Sequence, residues 1–408
     1  MNLRKGKLTY KGIFLAAWFV LLVSRILILT ENYTWPIDPV RLEVLYLLMT
    51  AALVLICRKG VFAFRKGTHW YVLGAFLLHT LLWGMVFTDS RFIDLIHSHF
   101  KSQVMFVVIL LVTVWAVQNF KAESAFLECC CAALSCTLAF QLITHISELD
   151  LSNLANIMSA TERTRANFGF GHYNTLGAAC ACNILLLDTI SKRNGKRKLN
   201  VLMAAAFGIS VIMLLCSASR SAITSLILYA MVFEVLRMNE WRISKRVILV
   251  LQMALLLVTA GVIVWILTMV DIDAFLIAAQ RSHLLTHTLP MFFETGKVWL
   301  GLGYASNVAY ATSETPYITY WMDNGYIYLL VTTGILGLGL LLSALWCMAD
   351  RILRNIRTPE GKRMFAVFCV YLYISLFETA LFSSGSLVNY MYLSWLLLEM
   401  TGNKERGA

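Results

Sequence analysis

The sequence predicts an all-α, polytopic membrane protein with about twelve transmembrane helices. Three observations support this fold class: 59% of the 408 residues are hydrophobic, only 14% are charged, and apolar runs of about 20 residues recur. A soluble domain usually carries about 25% charged residues. Backbone groups in lipid must be hydrogen-bonded internally, so runs of this length indicate helices, whereas barrel strands would show short alternating segments.

The apolar runs define one integral membrane domain, residues 1–408. The first run follows several Lys and Arg residues and lacks a small-residue cleavage site, so we interpret it as a retained helix and not as a signal peptide. The ten cysteines lie almost wholly inside apolar runs, where a thiol behaves as a small apolar group. The predicted helices cover about 11–30, 42–57, 69–88, 103–118, 124–145, 172–190, 199–217, 221–237, 246–268, 324–349, 363–382 and 386–400.

Basic residues divide unequally between the two sets of loops. With the N-terminus inside, most of the 34 Lys and Arg residues fall in the inside loops and the two ends, and Arg25 lies within the first helix. The bias of Lys and Arg toward cytoplasmic loops explains this pattern and the net charge of +11, so no nucleic-acid partner is expected. Both termini are predicted to be cytoplasmic. The basic residues predicted outside are Arg41, Arg91, Lys101, Arg163, Arg165, Arg220, Arg281 and Lys297.

Residues 269–323 form the longest predicted outside loop, between the ninth and tenth helices. The loop contains "RSHLLTHTLPMFFETGKVWLGLGY", which is too apolar for a freely solvated segment, so we expect short interfacial helices that form part of an active site. The inside loops are brief and contain no Gly-rich phosphate loop, which disfavours an ATP-driven motor.

Outside arginines run against the charge bias, and Arg220 is the clearest case. It lies in "LLCSASRSAITSL", where Ser219 and the neighbouring serines are further hydrogen-bond donors. A guanidinium group suits phosphate because its planar fork donates two hydrogen bonds at once. The alternative is an arginine that reaches toward lipid phosphates. Arg165 and Asn174 flank a Gly-rich turn and are candidates for the same cavity, or simply for a helix start.

Other ionisable residues are weaker candidates. Arg281, His283 and His287 lie in the long loop, where surface exposure alone would also explain them. The His-x-x-x-His spacing lacks the Glu of zinc proteases, so no metal is predicted. Glu378, near the outer end of the eleventh helix, is a candidate partner for an outside arginine, and His79 is interpreted as a packed polar residue.

The Asp323–Asn324 pair stands directly before the tenth apolar run. Asp323 is a candidate general base, because partial burial can raise the pKa of a carboxylate toward the working pH. Asp is also a good helix N-cap, and that simpler role stays open.

Four motifs, taken in order, resemble the O-antigen ligase and polymerase superfamily. They are "RANFGFGHYNTLGAA", "SASRSA", "WLGLGYAS" and "DNGYIYLLVTTGILGLGLLL", and they span roughly residues 160–345. Each motif alone is weak, but their order agrees with the side of the membrane that the charge distribution predicts.

The resemblance implies a metal-independent, inverting glycosyltransferase of the bacterial inner membrane that needs no cofactor. Its donor would be an undecaprenyl-diphosphate-linked glycan, and its acceptor another glycan or a lipid-linked unit. Its partners would include membrane lipids, a chain-length regulator and a flippase. By the resemblance, Arg220 and Arg281 would contact diphosphate and Asp323 would be the base. Arg165, Asn174, Ser219, Asn324, His283, His287 and Glu378 would line the substrate site.

The sequence departs from the ligases of this family at Asp323, where they typically have His before the Asn. We therefore expect a polymerase of lipopolysaccharide or capsule repeat units, with ligase-type transfer as the alternative. A lipid-linked sugar flippase or transporter is a second alternative, although no half-repeat is visible in the chain. A cell-wall transglycosylase is a weaker one, since its motifs are not found.

Overall fold

The computed structural model describes residues 9–30, 39–57, 68–86, 93–149, 165–193, 201–238, 240, 244–268, 288–294, 296–303, 324–383 and 386–401. These residues form helices and turns without a strand, which confirms the predicted all-α class. A short helix, Leu289–Glu294, is the described helical part of the predicted long loop. The twelve long helices in the described ranges are α1 (Tyr10–Ile28), α2 (Pro39–Ile56), α3 (Thr68–Val86), α4 (Ile93–Asn119), α5 (Glu123–Thr144), α6 (Tyr173–Arg193), α7 (Val201–Ser217), α8 (Arg220–Met238), α9 (Lys245–Thr268), α10 (Gly325–Leu353), α11 (Pro359–Ile374) and α12 (Leu387–Thr401).

Helix length and apolarity indicate a membrane protein. A helix of 19 residues, such as α1, is about 28 Å long, which is close to the thickness of a bilayer core. Four more apolar helical segments in the described ranges are only 10–17 residues long, so the count of about twelve spans stays a prediction. Within the described part of the chain, the five segments long and apolar enough to cross a membrane are Tyr10–Ile28, Lys101–Asn119, Glu123–Thr144, Arg220–Met238 and Gly325–Leu353.

Two helix boundaries differ from the prediction by more than five residues. Helix α4 begins at Ile93, ahead of the apolar run, because no Gly or Pro interrupts the polar stretch before it. Helix α11 ends at Ile374, so the prediction of a helix to residue 382 was wrong. The chain instead turns after Ser375, and Phe382 adopts a left-handed conformation (φ 52°) in which its amide donates to the Tyr371 hydroxyl (3.1 Å).

Three of the four main helix pairs join helices that are distant in the sequence. The main pairs are α3 with α10, α8 with α11, α6 with α7, and α1 with α5. A buried amide joins three of these helices, because the Asn183 side chain on α6 donates to Ser135 on α5 (3.1 Å) and to Ser210 on α7 (2.9 Å). Polar side chains hydrogen-bonded between helices hold a bundle together where lipid offers no other partner.

The helix ends meet in two groups. At one end, the Gly171 amide donates to the Leu29 carbonyl (2.8 Å), and a bridge pairs Thr30 with Phe170. At the other end, Arg363 contacts Asp188 (3.6 Å). Each group contains helix ends that the charge distribution predicts to share one side of the membrane. We name the first group the arginine end, because Arg165 and Arg220 lie in it.

Candidate functional site

A tight turn joins α7 to α8 at the arginine end. Helix α7 ends at Ser217 and α8 begins at Arg220, so two residues make the whole connection. Ala218 adopts a left-handed conformation (φ 47°), and the Ser217 hydroxyl donates to the Leu214 carbonyl (2.7 Å) while it accepts from the Ser219 amide (3.3 Å). Local serine bonds therefore close the turn, and Arg220, which is only 8% exposed, is held at the first position of α8.

The start of α6 packs directly on this turn. The Ser219 hydroxyl donates to the Asn174 side-chain carbonyl (3.3 Å). Gly177, one turn further along α6, leaves no room for a side chain, because a Cβ there would lie 2.4 Å from the Ser219 Cβ. The structure thus brings together three of the predicted site residues, Asn174, Ser219 and Arg220.

Arg165 joins the same group of residues. The amide of the next residue, Ala166, donates to the Cys216 carbonyl at the end of α7 (3.1 Å), and the Arg165 guanidinium lies over the Tyr173 ring (3.9 Å from its centre). Burial lowers the pKa of Arg165 below its ordinary value, Tyr173 opposes this effect, and the positive charge of Arg220 reinforces it. Arginine nevertheless stays protonated in proteins, so the segments that meet at this turn carry two positive charges.

Asn324 caps helix α10. Its side-chain oxygen accepts hydrogen bonds from the Tyr326 and Ile327 amides, both at 3.0 Å, which is the geometry of a helix N-cap. The alternative in which Asp323 caps this helix was therefore wrong. Asp323 itself lies outside the described residues, as do Arg163, Arg281, His283 and His287.

Glu378 lies near the start of α10, in the turn that follows α11. The Gly325 amide donates to the Ser375 carbonyl (2.8 Å), and a Cβ at Gly325 would lie 2.7 Å from the Leu381 Cβ. The Glu378 side chain is half-buried in this turn. The structure thus makes neighbours of two segments that hold predicted site residues, one at Asn324 and one at Glu378.

A pair of hydrogen bonds connects the arginine turn to the Glu378 turn. The Thr224 hydroxyl donates to the Arg220 carbonyl (2.7 Å) and accepts from the Tyr373 hydroxyl at the end of α11 (2.7 Å). The two groups of predicted residues therefore belong to one end of the bundle.

The "WLGLG" motif lies elsewhere, in a break of α10. Gly334 adopts φ 70° and ψ −177°, which interrupts the helix. The Val298 and Trp299 carbonyls accept from the Ile335 and Leu336 amides at 2.9 and 3.1 Å. The segment 298–303 therefore caps the second half of the broken helix.

The last carbonyls of the first half of the broken helix accept hydrogen bonds from the segment 298–303 and from α3. The Leu302 and Gly303 amides donate to the carbonyls of residues 331 and 332 at 2.8 and 2.9 Å. His79 Nε2 lies 2.8 Å from the Thr333 carbonyl. The interpretation of His79 as a packed polar residue agrees with this position, since its ring sits between α3 and the break.

Sequence reasoning missed two residues that hold Arg165 and its loop, residues 165–171. The Arg165 guanidinium lies over the ring of Tyr173, and the Glu148 carboxylate accepts hydrogen bonds from two backbone amides of the loop. An aromatic residue beside a Gly-rich turn was a usable signal for Tyr173, whereas nothing local marked Glu148.

In the described ranges, no group of three or more His, Cys, Asp or Glu residues is arranged to hold a metal ion. No protein-family model matches this sequence, and the curated proteins contain no match to it.

Proposed function

We propose that the protein is an outer-leaflet glycosyltransferase that polymerises undecaprenyl-diphosphate-linked oligosaccharide repeat units into a surface polysaccharide. One observation carries the proposal: Arg165 and Arg220 lie on segments that meet, because the Ala166 amide donates to the Cys216 carbonyl beside the arginine turn and Ser219 bonds to Asn174. A diphosphate is negatively charged before reaction and becomes more so as it leaves. Two fixed guanidinium groups are suited to stabilise that charge.

The proposed reaction moves the growing glycan from its lipid diphosphate to the next lipid-linked unit. A hydroxyl of the acceptor sugar attacks the anomeric carbon of the donor, and a new glycosidic C–O bond forms. The bond from that carbon to the diphosphate oxygen breaks, and its electron pair stays on the diphosphate. Asp323 takes the hydroxyl proton, and attack from the opposite face inverts the anomeric centre.

Three features support a site on the outer face. The arginine end contains the helix ends that the Lys and Arg distribution predicts to lie outside. Arg220 is held by packing and a local turn at 8% exposure, which is less than expected of an arginine that only reaches toward lipid phosphates. The segments that hold Asn324 and Glu378 belong to the same end of the bundle, where the acceptor would bind.

The break in α10 is the feature that a transporter would share, because broken helices in carriers direct freed backbone groups at their substrates. Here the carbonyls of residues 331–333 already accept hydrogen bonds from Leu302, Gly303 and His79. Because the protein's own groups bond to the carbonyls freed at the break, the enzyme is favoured over the carrier.

Deletion of the gene in its host, followed by sizing of the surface glycans, tests the function. A polymerase predicts loss of long chains with single repeat units retained, and wild-type protein should restore the long chains. Long chains that accumulate on undecaprenyl diphosphate would instead indicate a ligase. Unchanged glycans together with loss of uptake or export of a solute would overturn the enzyme proposal.

The proposed base has its own test. Asp323→Ala should abolish polymerisation while the protein stays in the membrane, because no other group is assigned to take the hydroxyl proton. Asn324→Ala serves as the comparison, since it removes the helix cap and should cost about 1 kcal/mol of stability. Full polymerisation by Asp323→Ala would remove the base assignment and leave the arginine site standing.

A further inference from the structure

We infer that Glu148 is a positioning residue for anion binding, because it holds the loop that presents Arg165. The inference rests on the proposed function in so far as the anion is a diphosphate. Glu148 ends a short 3₁₀ turn, Ile146–Glu148, that follows α5. Its Oε2 atom accepts two backbone hydrogen bonds, from the Asn167 amide (3.1 Å) and the Phe168 amide (2.7 Å).

The hydrogen bonds to Glu148 lie where the backbone conformation of the loop is least favourable. Phe168 has φ 46° and Gly169 has φ 75°, so two successive residues adopt the left-handed region. A residue other than Gly rarely adopts this backbone conformation without support from its surroundings. One carboxylate oxygen that accepts from both amides stabilises this bend, and it thereby fixes the backbone position of the neighbouring Arg165.

Other contacts hold the two ends of the loop and bury the Phe168 ring in the core, whereas the amides in the middle, those of Asn167 and Phe168, bond to Glu148. The Ala166 amide bonds to the Cys216 carbonyl (3.1 Å), and the Gly171 amide bonds to the Leu29 carbonyl (2.8 Å). Loss of Glu148 should therefore leave the bundle folded, while the middle of the loop relaxes and shifts Arg165. A small displacement of a binding group is enough to weaken a preorganised site substantially.

Binding of inorganic pyrophosphate to the purified full-length protein, measured by calorimetry, tests the role. We expect Glu148→Ala to weaken binding about tenfold, the size of one charge-assisted hydrogen bond. Glu148→Gln should restore most of the affinity, because its amide oxygen can accept both backbone bonds. Glu123→Ala, at the opposite end of α5, is the matched control and should bind as the wild type does.

The double variant Glu148→Ala/Arg165→Ala separates positioning from general stability. If Glu148 acts through Arg165, the double variant should bind no more weakly than Arg165→Ala alone, whereas independent effects would multiply. Multiplied losses overturn the role of Glu148 and leave the proposed function intact. Absence of pyrophosphate binding by the wild type would overturn the anion site, and both proposals with it.

Discussion

Two interruptions of regular helix in the described residues differ in how they are closed: the Ala218–Ser219 turn between α7 and α8, and Gly334 inside α10. Each interruption frees backbone groups. At Gly334 the segment 298–303 supplies backbone partners to both helix halves. At the turn, Ser217 supplies the local bonds, Arg220 begins the next helix, and the segment that holds Arg165 bonds to Cys216 through the Ala166 amide.

This difference is the reason why we assign a structural role to the break at Gly334 and the proposed function to the arginine turn. Backbone that bonds to backbone closes a gap in a membrane helix and leaves little for a ligand to bind. Two cations placed together raise the energy of the empty site, because each disfavours the other's charge, and an anion would relieve that cost. The comparison predicts that changes at Gly334 reduce stability, whereas changes at the arginine turn reduce activity.

Arg220→Ala should have the largest effect, a loss of about 100-fold or more in polymerisation rate. The substitution removes the fixed positive charge that would stabilise the diphosphate leaving group. The protein should reach the membrane at its normal level and unfold at an unchanged temperature. Arg41→Ala is the matched control, since Arg41 is an exposed arginine near the start of α2, which packs on α1 and α4. Equal losses in the two variants would contradict a specific site at Arg220.

Gly334→Ala should destabilise the protein by about 2–3 kcal/mol, through its positive φ and a Cβ placed 2.4 Å from the Trp299 carbonyl. Thermal unfolding in detergent measures the change, and the folded fraction should keep its activity. Gly339→Ala on the same helix has nothing within 4 Å of the new Cβ and should be neutral or slightly stabilising. An unchanged melting temperature for Gly334→Ala would mean that the break tolerates a side chain.

Gly177→Ala should lower activity about tenfold with a smaller effect on stability, because its Cβ would push α6 away from Ser219 and displace the turn. A polymerisation assay on purified protein, normalised to the folded amount, measures this effect. Gly208→Ala on α7 is the control, with open space around the new Cβ. The prediction fails if both variants behave alike.

Tyr173→Leu should have the smallest effect, about threefold weaker pyrophosphate binding, because it removes the ring under the Arg165 guanidinium. Tyr173→Phe keeps the ring and should bind nearly as the wild type does. If Phe weakens binding as much as Leu does, the hydroxyl and not the ring face is the group that matters.

Sequence reasoning succeeded for the helices, whereas its site residues stay predictions. It predicted a helix at each of the twelve apolar runs, and it selected Arg165, Asn174, Ser219 and Arg220, which the structure brings together. It missed the break at Gly334 because a glycine within an apolar run is compatible with a continuous helix. It missed Glu148 because the bonds of that carboxylate go to residues 167 and 168, which are distant in the chain.

By itself, the sequence determined the all-helical class and the approximate positions of the helices, because an apolar run in lipid satisfies its backbone by forming a helix from its own neighbouring residues. Only the tertiary structure decided that α3 packs on α10 and α8 on α11, that Asn324 is the cap, and that the two arginines share one place. Those features depend on packing between segments far apart in the chain, where side-chain shape and close approach of backbones select one arrangement.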